Sequence, residues 1–97
     1  PSSEKVTEFI DAFKTKYNKA PSSFNALAYD SVYMLAEAID KAGEADSEKI
    51  TEQLASLKDF DGVTGKMTMD KNHNPEKAAV VIGLNEGKEA SADVVNP

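Results

Sequence analysis

The sequence predicts an α/β chain in which three helices precede two or three short strands. Apolar residues recur every three or four positions as far as Leu57, the period drops to two beyond Phe60, and Pro, Gly and capping residues punctuate each change. A length of 97 residues allows one domain or part of one. With 40% hydrophobic and 29% charged residues the chain is too apolar for intrinsic disorder.

The first helix is expected over residues 4–17. Val6, Phe9, Ile10, Phe13 and Tyr17 line one face and Glu4, Lys5, Glu8, Asp11, Lys14 and Lys16 the other. Ser2 or Ser3 can cap its start, Asn18 suits a left-handed stop, and Pro21 forbids continuation through Ala20. A second helix, residues 24–42, begins after the potential caps Ser22 and Ser23 and ends at Gly43. From Phe24 to Ala36 its only charge is Asp30, and apolar residues surround it on all sides. Such a helix is built to be buried on more than one side. The rest of the chain offers too little surface to cover it, so the missing neighbour is expected to be a sheet or a second chain. The third helix, residues 47–57, starts at the cap Asp46 and carries a narrow stripe of Ile50, Leu54 and Leu57, which places it on the surface.

Val63, Gly65, Met67 and Met69 then alternate with Thr64, Lys66 and Thr68, as in a half-buried strand over 63–69, with Gly62 and Gly65 marking bends at its entry. Residues 70–75 are polar or turn-forming. Residues 77–84 read as a strand buried on both faces. Asn85, Glu86 and Gly87 make a tight turn into a last strand over 90–95.

Seventeen acids against eleven bases give a net charge of −6, a field that repels nucleic acid. The stretch from Glu37 to Asp61 holds eight acids and three bases and reads as a solvated acidic face. Zero cysteines exclude disulfides, thiolate metal sites and cysteine nucleophiles. No apolar run approaches the roughly 18 residues of a membrane span. The chain opens at Pro1 without an initiator Met or a leader, as a processed or excised piece would.

Asp70, Asn72 and Asn74 start like an EF-hand loop, but Pro75 replaces the glycine of the sharp turn and Val81 the bidentate acid. The segment is therefore expected to be a loop whose Asn side chains satisfy their own backbone. His73 is the only histidine, and no second histidine or cysteine could complete a zinc site. No nucleophile–base pair, split carboxylate pair or phosphate-binding loop is recognisable, so no catalytic residue, metal or cofactor is expected and the protein is read as a non-enzyme. Phe24 and Tyr29, at the opening turn of the most apolar helix, serve either as core or as the wall of a ligand pocket.

Taken in order, FIDAFKTKYNKAP (Phe9 to Pro21), AYDSVYMLAEAIDKAG (Ala28 to Gly43), FDGVTG (Phe60 to Gly65) and KAAVVI (Lys77 to Ile82) resemble the C-terminal quarter of the branched-chain amino acid binding proteins that feed ABC importers, the type I periplasmic-binding-protein family. The resemblance spans nearly the whole chain, with two departures, Asn74 where the family often has Gly and Met69 where it often has Phe. It implies the C-terminal part of a two-lobed α/β fold in which an amino acid such as leucine, isoleucine or valine is trapped as the lobes close. It implies further that Phe24 lines the apolar part of the pocket, that the complete protein delivers its ligand to a membrane permease, and that it works outside the cytoplasm, in a periplasm or as a lipoprotein on the outer face of the membrane. The groups that hold the ligand's ammonium and carboxylate lie upstream in that family, so this segment is not expected to bind alone. Gly62 and Gly65 suit the hinge, where a few residues must absorb dihedral change. The isolated chain is expected to self-associate through its uncovered apolar helix. Two other readings of the same residues are a stand-alone interaction module that uses helix 24–42 to hold a partner, and the ligand domain of a sensor or repressor of the same fold.

Overall fold

Phe9, Ala38, Leu57, Val63 and Met67 are the buried apolar residues, and the elements that carry them define the core of the molecule. The computed structural model describes residues 4–97, so the capping roles expected of Ser2 and Ser3 lie outside the described residues. Helix α1 (Glu4–Tyr17) buries Phe9 and stops at Asn18, which has φ of 55° and donates its N–H to Lys14 O over 2.8 Å. Helix α2 (Ser23–Ala42) starts at a reciprocal cap. The Ser22 hydroxyl accepts from Asn25 N at 3.3 Å while the Asn25 side chain accepts from Ser22 N at 2.8 Å. Gly43, with φ of 78°, ends α2 in the left-handed conformation that glycine tolerates best.

Helix α3 (Ser47–Ala55) is capped by Asp46, whose carboxylate accepts from the amides of Glu48 and Lys49. It ends two residues before the expected Leu57. Leu57 turns its side chain into the core, and its carbonyl accepts from Met69 N at 2.9 Å, which draws the chain out of the helix toward the first sheet.

That sheet is antiparallel, in the order β1 (Phe60–Gly62), β2 (Gly65–Met69), β3 (Pro75–Lys77). The strand expected over 63–69 starts only at Gly65, because Val63 and Thr64 form a two-residue turn closed by the pair Gly62↔Gly65 that joins it to β1. Strand β3 begins in the expected loop, residues 70–75, and ends at the first residue of the strand expected over 77–84; it pairs with β2 through Met69↔Pro75 and Met67↔Lys77. Pro75 is tolerated there because it opens an edge strand. Between β2 and β3 the loop is ordered by Asp70 rather than by the Asn side chains: its carboxylate accepts from Asn72 N and Asn74 N, both at 2.8 Å.

Strands β4 (Ala79–Asn85) and β5 (Lys88–Val95) form a separate antiparallel ribbon. Glu86 and Gly87, with φ of 52° and 78°, make the tight turn, and the pair Asn85↔Lys88 starts β5 two residues earlier than expected. A bulge follows at Gly83 and Leu84. The burial expected on both faces of this strand is not found. Val80, Val81, Ile82 and Leu84 are all exposed, because among the described residues β4 pairs with β5 alone and no other element packs over it. The ribbon makes the molecule long, 51 × 33 × 19 Å, with a radius of gyration of 15.9 Å. A compact chain near this length would have about 13 Å. Among the described residues no helix is long and apolar enough to cross a membrane.

Candidate ligand and hinge site

Helix α2 organises the site because one of its stripes packs inward while the rest stays uncovered. Asp30 and Ala38 are buried, and Ala26, Met34 and Ala42 are half-buried on the same side. Phe24, Leu27, Val32, Leu35 and Ile39 remain exposed, so much of the apolar surface of the helix has no neighbour among the described residues.

Phe24 sits in the first turn of α2 and is 82% exposed. The cap at Ser22 and Asn25 fixes the backbone on either side of it, so the ring projects from a rigid base. Phe24 and Tyr29 do not share a face. Five residues apart on a helix, they point about 140° from one another. Tyr29 instead joins an aromatic ladder that runs from α1 to α2. Ring centroids are 4.7 Å apart for Tyr17 and Phe13, 6.1 Å for Phe13 and Phe9, 4.7 Å for Phe9 and Tyr29, and 4.8 Å for Tyr29 and Tyr33. Tilted rings at such spacings set the electropositive edge of one toward the face of the next. The Tyr29 hydroxyl points to that of Tyr33 over a long 3.5 Å, and this contact, followed by partial burial, raises the Tyr29 phenol above 10.0.

The polar centre of the site is Asp30, only 4% exposed. A buried carboxylate needs donors, and the turn between β1 and β2 supplies three. Val63 N donates to Oδ1 at 2.8 Å, and Thr64 N and Thr64 Oγ1 donate to Oδ2 at 2.9 and 2.5 Å. The Lys77 ammonium, on β3, donates in turn to Thr64 Oγ1. The hydroxyl thus uses its one proton toward Asp30 and a lone pair toward Lys77. Gly62 permits the approach: a Cβ built there would lie 2.5 Å from Asp30 Oδ2 and 2.7 Å from its Cγ. Gly65, with φ of +114° and nothing within 4 Å of a Cβ position, is required by backbone conformation and not by crowding.

The two expected hinge glycines are therefore brought together at one turn, with Asp30 against one of them, whereas Phe24 stands about 9 Å along the helix from Asp30 by the rise per residue. An open groove of about 620 Å³ passes over this turn between α1, α2 and β1, lined among others by Tyr29, Tyr33 and Asp61, and Phe24 is not part of its wall. Lys5 spans the groove's edge, donating to Asp61 O at 2.7 Å. Sequence reasoning passed over Asp30, Thr64 and Lys77. The sequence offered only a single acid in thirteen otherwise uncharged residues, with nothing local to name its partners. Among the described residues no group of three or more His, Cys, Asp or Glu side chains could hold a metal ion.

A family model described as "Periplasmic binding protein" matches residues 1–89. Over 63 residues the chain is 46% identical to the leucine-, isoleucine-, valine-, threonine- and alanine-binding protein of Pseudomonas aeruginosa, a match that covers 64% of this chain and 16% of the relative. Two crystal structures superpose on nearly all of it. The leucine binding protein LivK of Thermotoga maritima gives a TM-score of 0.81 at 35% identity over 99% of this chain and 27% of its own. The branched-chain amino acid transporter substrate binding protein LivJ of Streptococcus pneumoniae, in complex with isoleucine, gives 0.81 at 46% identity over 98% of this chain and 27% of its own. The chain thus spans about a quarter or less of the length of the proteins it matches.

Proposed function

Because the chain belongs to the periplasmic binding protein family and has its type I α/β fold, we propose that it forms the C-terminal part of a two-lobed solute receptor. The receptor captures a branched-chain amino acid outside the cytoplasm and hands it to the membrane permease of an ABC importer. The observation that carries this reading is the 46% identity, over 98% of the chain, to a structure that holds isoleucine. Phe24 supports it physically. An aromatic ring 82% exposed on a rigid, doubly capped helix start suits an apolar pocket wall. In this reading Gly62 and Gly65 lie at the turn that leads toward the crossing between lobes, and other segments supply the groups for the ligand's ammonium and carboxylate.

Calorimetry of the two-lobed protein with leucine, isoleucine and valine tests the proposal. At least one should bind, and Phe24→Ala should weaken that binding by about tenfold or more, the loss of an aromatic wall being worth over 1 kcal/mol. No heat with any of the three would refute the branched-chain assignment. The uncovered face of α2 also leads us to propose that the 97-residue chain self-associates when isolated, and sedimentation showing a monomer at high concentration would refute that.

A further inference from the structure

We propose that Asp30 is a latch that holds the β1–β2 turn and the end of β3 to helix α2 as one rigid body, so that the chain bends at Ala78 and not between Gly62 and Gly65. The proposal deepens the two-lobed reading by saying where the crossing moves. Three observations support it. Both oxygens of the carboxylate are engaged by the turn, so any rotation about the Gly62–Gly65 backbone must first break the buried hydrogen bond from Val63 N and the part-buried ones from Thr64. The same carboxylate fills the space beside Gly62, where a Cβ would lie 2.5 Å from Oδ2, so this glycine is packed against Asp30 rather than free. Through Thr64 Oγ1 the restraint reaches the Lys77 ammonium, the last residue of β3. One residue further on, Ala78 belongs to neither sheet, and beyond it β4 hydrogen-bonds only to β5. The freedom to bend is therefore removed up to Lys77 and restored immediately after it. Asp30 acts as a positioning residue, with no contact to ligand required of it.

The absence of cysteine allows spin labels to be placed at will. One pair, Lys41→Cys with Lys66→Cys, spans α2 and β2, and a second, Lys41→Cys with Lys88→Cys, spans α2 and the ribbon. Pulsed electron resonance on the protein should give a narrow distance distribution for the first pair and a broad or two-peaked one for the second. Asp30→Asn keeps the shape but turns one acceptor into a donor facing a backbone amide of the turn, Val63 N or Thr64 N. It should broaden the first distribution and speed amide exchange at Val63 and Thr64 by about tenfold or more. If that variant fails to fold, Thr64→Val should broaden the first distribution while Thr64→Ser restores it, a rescue that loss of packing would not give. A first pair as broad as the second in the unsubstituted protein, or one indifferent to both Asp30→Asn and Thr64→Val, overturns the proposal. These distances are read without ligand, so a protein that binds no amino acid can still pass or fail the test.

Discussion

Residues 4–77 and the β4–β5 ribbon are both rich in apolar side chains, yet every buried apolar residue lies in the first region and none in the second. Val80, Val81, Ile82 and Leu84 are no less hydrophobic than Phe9 or Val63. What separates the regions is whether a neighbour is held in place over the apolar face. In the first, Asp30 ties the hairpin to α2 and the Leu57 carbonyl ties β2 to the end of α3, and the core closes beneath those two attachments. In the second, the backbone pairing is complete but reaches only from β4 to β5. Hydrogen-bonded pairing makes a ribbon, and burial requires a second layer.

The sharpest way to break this contrast is Leu57→Ala. Leu57 is the largest fully buried side chain, and its loss should lower stability by about 3 kcal/mol, read as a shift in the urea midpoint. A shift below about 1 kcal/mol would mean that the helical region is not the stable one. Ser22→Ala should cost about 1 kcal/mol by removing the cap of α2, with Ser22→Asn keeping most of it. Ile82→Thr, on the exposed ribbon, should stay within about 0.5 kcal/mol in this chain. A larger loss would reveal a cover over the ribbon.

The smallest effect concerns pH. The Tyr29 phenol is raised above 10.0, first by the Tyr33 hydroxyl and then by burial, so the folded state keeps a proton that the unfolded chain releases near that value. The stability it contributes is complete below pH 10.0 and is lost as the pH rises through the folded value. Tyr33→Phe should bring the Tyr29 titration, followed by absorbance near 295 nm, back toward an ordinary tyrosine.

Helix ends were the most legible part of the molecule, because caps act locally. Asn18, Gly43 and Asp46 perform the roles their chemistry suggests, and of the two serines before α2 it is Ser22 that caps. The β1–β2 turn was hidden because Val63 and Thr64 are β-branched and favour strands. Their turn is imposed by a carboxylate 33 residues upstream, which no local pattern can reveal. Strand β3 was hidden by its opening proline. The family and its fold could be read from four ordered segments, and residues 1–89 match its model. Asp30 could not be, since one acid on an apolar helix carries no sign of its distant partners. The uniform hydrophobicity of residues 78–84 describes a covered strand, and the cover is not supplied by the described residues.

The aromatic ladder decides what optical methods can see. The protein has three tyrosines and no tryptophan, and Tyr17, Tyr29 and Tyr33 all stand in that one stack on α1 and α2. Ultraviolet emission therefore reports on the two helices alone. A ribbon that swung, paired with a neighbour or unravelled would leave the fluorescence unchanged, and only an added chromophore would make it visible.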